Sequence, residues 1–168
     1  MSKAFTSEET PDLPPLVRPP PRLAPGEVRL VTPEGMAALR AELARLRTAR
    51  ADAAPLPESE RTARLADLDA RAARVEGTLA VLTVRGPGEE TPGRAGFATW
   101  VTVEDPAGTR ATWRIVGPDE SDPARGRIAV DSPVARALLG RAAGDVVEVR
   151  RPAGTVAWTV VDVRREPP

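Results

Sequence analysis

Met36, Leu39, Leu43 and Leu46 stand three, four and three residues apart, and Leu65, Leu68, Ala72, Val75, Leu79 and Leu82 alternate in the same way. Such spacing puts each set on one face of a helix, and that face has to be covered by something. Residues 51–57 separate the two sets, and Pro55 and Pro57 interrupt any helical hydrogen-bond ladder there. Two striped helices joined by so short a loop cover each other by folding back, so the pattern predicts an antiparallel coiled-coil hairpin over residues 29–85. Thr32 is placed to cap the first helix, Pro33 suits the first helical position, and Glu34 favours the positive end of the helix dipole. The second helix is expected to start near Ser59.

Beyond a Gly- and Pro-rich linker at 86–95 the apolar period drops to two. Residues 97–103 alternate, Asp105-Pro106-Ala107-Gly108 fits a type I turn, and residues 112–116 return as a partner strand. Residues 126–130 read as a third strand. Ser132-Pro133 opens a short helix that turns Val134 and Leu138 inward and stops at Gly140. Residues 146–149 and 155–163 form a last hairpin across Pro152-Ala153-Gly154. The second half, 96–168, is therefore expected to be a small antiparallel sheet with one short helix, and the fold class is α+β. Residues 1–28 carry seven prolines, at 11, 14, 15, 19, 20, 21 and 25, with no apolar period. They read as a disordered or polyproline-like tail, with a Pro-x-x-Pro ligand as the alternative.

Composition removes whole classes of chemistry. The chain has no Cys and no His, which excludes thiol catalysis, disulfides, Cys/His zinc sites and a histidine base. Acidic and basic residues number 24 each, so no basic excess favours free nucleic acid as the main partner. There is no apolar run of about 18 residues to cross a membrane. The first residues lack the apolar core of a secretory signal, and a cytoplasmic location is the expectation.

A recognisable local sequence follows. Residues 126–140, Gly-Arg-Ile-Ala-Val-Asp-Ser-Pro-Val-Ala-Arg-Ala-Leu-Leu-Gly, with Gly144-Asp145-Val146-Val147 and Pro152-Ala153-Gly154 after them, resemble the C-terminal signature of Gre transcription elongation factors. Trp113-Arg114-Ile115-Val116-Gly117-Pro118-Asp119-Glu120 resembles the strand and acidic turn that precede it. Val31-Thr32-Pro33-Glu34-Gly35-Met36 resembles the start of the family's first helix, and the first six residues are similar to the GreB branch.

The resemblance implies an FKBP-like C-terminal domain that grips the rim of the secondary channel of bacterial RNA polymerase, with the coiled coil inserted in that channel. It implies that Asp131, Ser132 and Pro133 contact the polymerase. It also implies a loop motif, Asp-x-x-Glu-Asn, whose carboxylates sit beside the polymerase's catalytic Mg²⁺ and help it cleave backtracked RNA, which is two-metal chemistry on hard oxygen ligands. This chain departs from the family there. No such motif lies between the helices, and the loop region offers only Asp52, Glu58 and Glu60. The hairpin is shorter than the family pattern by roughly 18 residues, about nine per arm, so at ~1.5 Å per residue its tip falls on the order of 13 Å short.

The expectation is thus an accessory factor, not an enzyme, that binds polymerase as a monomer and meets nucleic acid only through the transcription complex. It needs no cofactor or metal of its own, and the polymerase's Mg²⁺ matters only if the tip reaches it. The alternatives are a cleavage factor using Asp52, Glu58 and Glu60 as improvised ligands, or an FKBP-like prolyl isomerase lined by Trp100, Trp113 and Trp158. For Asp131-Ser132-Pro133 the plain reading is a helix cap followed by proline in the first turn. The three Trp read plainly as core. Eight arginines of the hairpin face eight carboxylates between Glu34 and Glu76, the pattern of a solvated, ion-paired surface.

Overall fold

The computed structural model describes residue 23 and residues 27–88, 92–151 and 154–167; most of the Pro-rich tail and the Pro152-Ala153 part of the last turn lie outside them. Helix α1 (Pro33–Asp52) begins as its sequence dictates, with the Thr32 hydroxyl accepting the Gly35 amide at 3.0 Å and Pro33 in the first turn. Helix α2 (Glu58–Leu79) follows Pro57 and has no side-chain cap. Leu46, Ala53 and Leu68 are buried between the helices, with Leu56, Leu65, Ala72 and Val75 packed around them. Arg47 reaches Glu76 at 2.8 Å while Arg50, further along α1, reaches Asp69, further back on α2, at 2.6 Å. That reversed order marks the two helices as antiparallel. Both pairs are exposed and contribute at most about 1 kcal/mol each.

The second helix ends at Leu79, so Leu82 does not continue the helical stripe as its spacing predicts. It opens strand β2 (Leu82–Val84), which runs parallel to strand β1 (Arg29–Val31), with Val31 opposite Val84. Pairing these two short segments satisfies backbone groups where the chain enters and leaves the helix pair. Three residues hold too little pattern for a period of two to show.

The second half forms one five-stranded sheet from β3 (Trp100–Glu104), β4 (Arg110–Val116), β5 (Arg127–Ala129), β6 (Val146–Arg151) and β7 (Gly154–Arg164), in the order β5-β4-β3-β7-β6. It is mixed and not antiparallel throughout, because β5 lies parallel to β4. The intervening 3-10 turns, Pro118–Glu120 and Pro123–Arg125, carry the chain back along the sheet before Gly126, at φ 68°, directs it into β5. The first strand also starts later than the alternation from Phe97 suggests. Ala98 holds a left-handed φ of 63°, and the Thr99 hydroxyl accepts the Gly96 amide and donates to the Gly96 carbonyl, so residues 96–99 form a local turn. The 105–108 turn forms as expected, with the Gly108 amide donating to the Asp105 carbonyl at 2.9 Å.

One face of the sheet carries Val101, Val103, Ile115, Ile128, Val147, Val149, Trp158 and Val160, all buried. Helix α3 (Pro133–Leu138) covers it through Ala135 and Leu138. The rings of Trp113 and Trp158 lie 5.0 Å apart within this cluster, whereas Trp100 stands on the opposite face beneath the Arg114 guanidinium.

The two halves meet around the turn that carries Glu120. Glu120, in the first 3-10 turn, is only 9% exposed and accepts the Thr32 amide at 2.9 Å, the Gly117 amide at 3.2 Å and the Thr32 hydroxyl. Arg29 donates twice to Asp119, at 2.6 and 2.9 Å, and Arg114 reaches Glu34 at 3.1 Å.

Leu68 is the most deeply buried leucine of the helix pair, at 2% exposure. Leu68→Ala is expected to lower the unfolding free energy by about 2–5 kcal/mol, measured in urea by far-ultraviolet circular dichroism.

Candidate functional site

Asp131, Ser132 and Pro133 occupy the turn between β5 and α3. Asp131 and Pro133 are exposed and Ser132 is half-buried. The Ser132 hydroxyl accepts the Ala135 amide at 3.2 Å, and the Ser132 amide donates to the Ala129 carbonyl at 2.9 Å. The loop is thus held from both ends, by its strand and by the helix it caps, and it presents a carboxylate and a proline ring to solvent. A cap and a fixed recognition loop are compatible, because the same hydrogen bonds that end the helix set the loop's shape.

Beside this loop lies an apolar hollow of about 300 Å³, lined by Trp113, Trp158, Ile128, Val134, Pro123 and Ser132. Of the three Trp read as core, with a Trp-lined pocket as the alternative, Trp113 and Trp158 line this hollow and Trp100 does not. The available signal was the appearance of two indoles at inward positions of β4 and β7, facing a helix of only six residues. So short a helix leaves part of the aromatic surface uncovered.

The loop between α1 and α2 is organised differently. Asp52 is the last residue of α1, Glu58 the first of α2, and Glu60 lies in the same first turn; all three are exposed. Glu58 is engaged by Arg61. Among the described residues no group of three or more acidic side chains is placed to hold a metal ion. The structure therefore does not gather Asp52, Glu58 and Glu60 into one site. The paired charges along the helices, Arg47–Glu76, Arg50–Asp69 and Arg71–Asp67, agree with a solvated ion-paired surface.

Two charged groups at the junction are perturbed. The Arg29 guanidinium is held protonated beyond its ordinary range, first by its hydrogen bonds to Asp119, against the cost of burial, and further by the fields of Asp119, Glu27 and Asp131. The Glu34 carboxyl lies below its ordinary range, first through hydrogen bonding at its own backbone amide, opposed by burial and reinforced by Arg114.

Comparison with known proteins places this arrangement. Residues 90–165 match the family model described as transcription elongation factor, GreA/GreB, C-term. The GreB of Pseudomonas aeruginosa is 40% identical over 163 residues, covering 88% of this chain and 96% of that protein. The GreB of Xanthomonas axonopodis pv. citri is 36% identical over 162 residues, covering 87% and 95%. The match to the GreB of Yersinia pestis, at 38% identity, spans 62% of this chain and 61% of that protein. Among solved structures, GreA factor homolog 1 of Thermus thermophilus is 25% identical and covers 82% of this chain and 99% of its own, with a TM-score of 0.39. The protein is a transcription elongation factor, an accessory protein and not an enzyme. It belongs to the GreA/GreB family. No helix among the described residues is long and apolar enough to cross a membrane.

Because the folded-state Glu34 carboxyl titrates below its ordinary value of 4.5, its stabilising effect is present above that pH and is lost as pH falls through the lower folded value. Glu34→Gln is expected to lose less stability than the wild type when pH is lowered from about 5 to about 3, in urea titrations at each pH.

Proposed function

We propose that this protein docks on bacterial RNA polymerase at the secondary channel and regulates elongation without efficient stimulation of transcript cleavage. The contact is made by Asp131, Ser132 and Pro133 on an FKBP-like C-terminal domain. The helix pair, read as a coiled coil, occupies the channel mouth. Family membership supports the partner. The observation that carries the finer reading is the bare end of the helix pair, where Asp52, Glu58 and Glu60 stand exposed and do not converge.

A carboxylate serves a divalent cation only at ligand distance, about 2 to 2.6 Å. An arm of 20 residues extends roughly 30 Å at 1.5 Å per residue, which is short of the family pattern. The factor therefore acts by occupying space and by altering the channel's traffic, as a monomer, and it holds no cofactor of its own. Nucleic acid is met only inside the transcription complex, consistent with a formal net charge of zero.

A second reading has one observation in its favour: the apolar hollow floored by Trp113 and Trp158 is of the kind a prolyl isomerase needs. Its walls contain no Tyr or Phe, and a peptide isomerisation assay separates this reading from the first.

Incubation with backtracked elongation complexes and Mg²⁺ is expected to leave the RNA length unchanged. Shortened RNA with a new 3′ end would instead establish the loop carboxylates as working ligands. Asp131→Ala is expected to weaken binding to core polymerase by about tenfold or more, equivalent to ~1.4 kcal/mol; equal affinity of mutant and wild type rejects the assigned loop.

A further inference from the structure

The helix pair and the sheet are joined by a carboxylate that belongs to one half and completes the helix cap of the other. Glu120 Oε2 accepts the Thr32 amide at 2.9 Å and the Gly117 amide at 3.2 Å, while Oε1 accepts the Thr32 hydroxyl. That hydroxyl, by accepting the Gly35 amide, caps α1. A chain of hydrogen bonds therefore runs from the sheet's connecting turn into the first turn of α1. Thr32 is fully buried and Glu120 nearly so, which shields the link from competing water.

Two glycines make room for it. A Cβ on Gly35 would lie 2.1 Å from Glu120 Oε1, and one on Gly117 would lie 2.0 Å from the Leu30 carbonyl oxygen. Neither glycine has a positive φ, so steric clearance and not backbone freedom is what the position requires. The clearance at Gly117 is against the backbone of β1, so the strand that leads into α1 is seated directly on the turn that carries Glu120. Beside this buried link stand the Arg29–Asp119 pair, with largely covered side chains, and the Glu34–Arg114 pair, in which only Glu34 is exposed.

The geometry points to Glu120 as a positioning residue that sets the direction of the helix pair relative to the sheet domain, with Gly35 and Gly117 as the clearances that let it do so. A loop that docks at one point leaves a projecting arm free to pivot unless something fixes the angle. Three polar contacts link the halves here: the buried, multiply bonded Glu120, the two-pronged Arg29–Asp119 pair with side chains 22% and 17% exposed, and the Arg114–Glu34 pair, whose Glu34 side chain is 65% exposed. Of these, only Glu120 also completes the cap of α1, so aiming the arm falls first to it. Its consequence for elongation rests on the docking reading above; the positioning itself does not.

The chain contains no Cys, so paired labels can be introduced without removing any residue's native thiol. Spin labels at Ala54→Cys, in the loop between the helices, and at Arg136→Cys, on α3, report the angle; Ala107→Cys with Arg136→Cys reports the sheet domain alone. Glu120→Gln keeps the shape but turns one acceptor into a donor that faces amide and hydroxyl donors. The Ala54–Arg136 distance distribution is expected to become at least about twofold broader or to shift in mean, while the Ala107–Arg136 distribution stays as in the wild type. Gly35→Ala, which pushes the carboxylate away, is expected to reproduce the change, and it decides the matter if Glu120→Gln does not fold. Unchanged Ala54–Arg136 distances in the folded variant overturn the inference. With core polymerase, both variants are expected to keep the wild-type affinity within about threefold and to lose most of the effect on elongation. A wild type that fails to bind polymerase would refute the docking reading and leave the distance result standing.

Discussion

Removing a carboxylate from water costs several kcal/mol unless its oxygens are given hydrogen-bond donors in return, and at Glu120 most of those donors come from the far end of the chain. Thr32, 88 residues away, supplies both its amide and its hydroxyl. The same threonine caps α1, so the start of the helix, the seating of β1 against Gly117 and the placement of the acidic turn form one connected arrangement. The sheet domain has its own core beneath α3, and the helix pair has a small one around Leu46 and Leu68. What turns two modest cores into one shaped molecule is the contact between them.

From that contact the parts follow in a mechanical order. The sheet supports the 131–133 loop, tied to β5 on one side and capping α3 on the other. The helix pair starts where Thr32 meets the Glu120 turn and ends in a loop whose carboxylates are not gathered into one site. Under the proposed function, polymerase recognition and interference with the channel are separate tasks held at one geometry. In this account the projecting arm contributes bulk and charge and not metal ligands. Its exposed ion pairs add little to stability but keep a long, narrow surface hydrated and soluble.

Local features were legible before any coordinates. The Thr32 and Ser132 caps, the Pro33 and Pro133 starts, the helical stripes and the 105–108 turn are each written within a few neighbouring residues, and the structure shows each of them. The features that were missed depend on partners distant in sequence or on elements too short to carry a period. Leu82 fits the helical stripe yet belongs to β2, because pairing with β1 outweighs one more turn of helix. The parallel β4–β5 pairing is decided by a ten-residue connection whose alternation is silent on direction. Gly35 was readable as a family residue, but its reason, the carboxylate of Glu120 against it, appears only in three dimensions. For the site, the loop at 131–133 was visible as a cap and a Trp-lined pocket as an alternative, but which indoles line it, Trp113 and Trp158 and not Trp100, depends on packing under a short helix.

A structure of the protein bound to a backtracked polymerase complex tests the account most directly. It is expected to show the 131–133 loop at the channel rim and the α1–α2 loop on the order of 10 Å or more from the catalytic Mg²⁺, the distance implied by arms of 20 and 22 residues. Asp52, Glu58 or Glu60 found within ligand distance of that metal, about 2 to 2.6 Å, would contradict it.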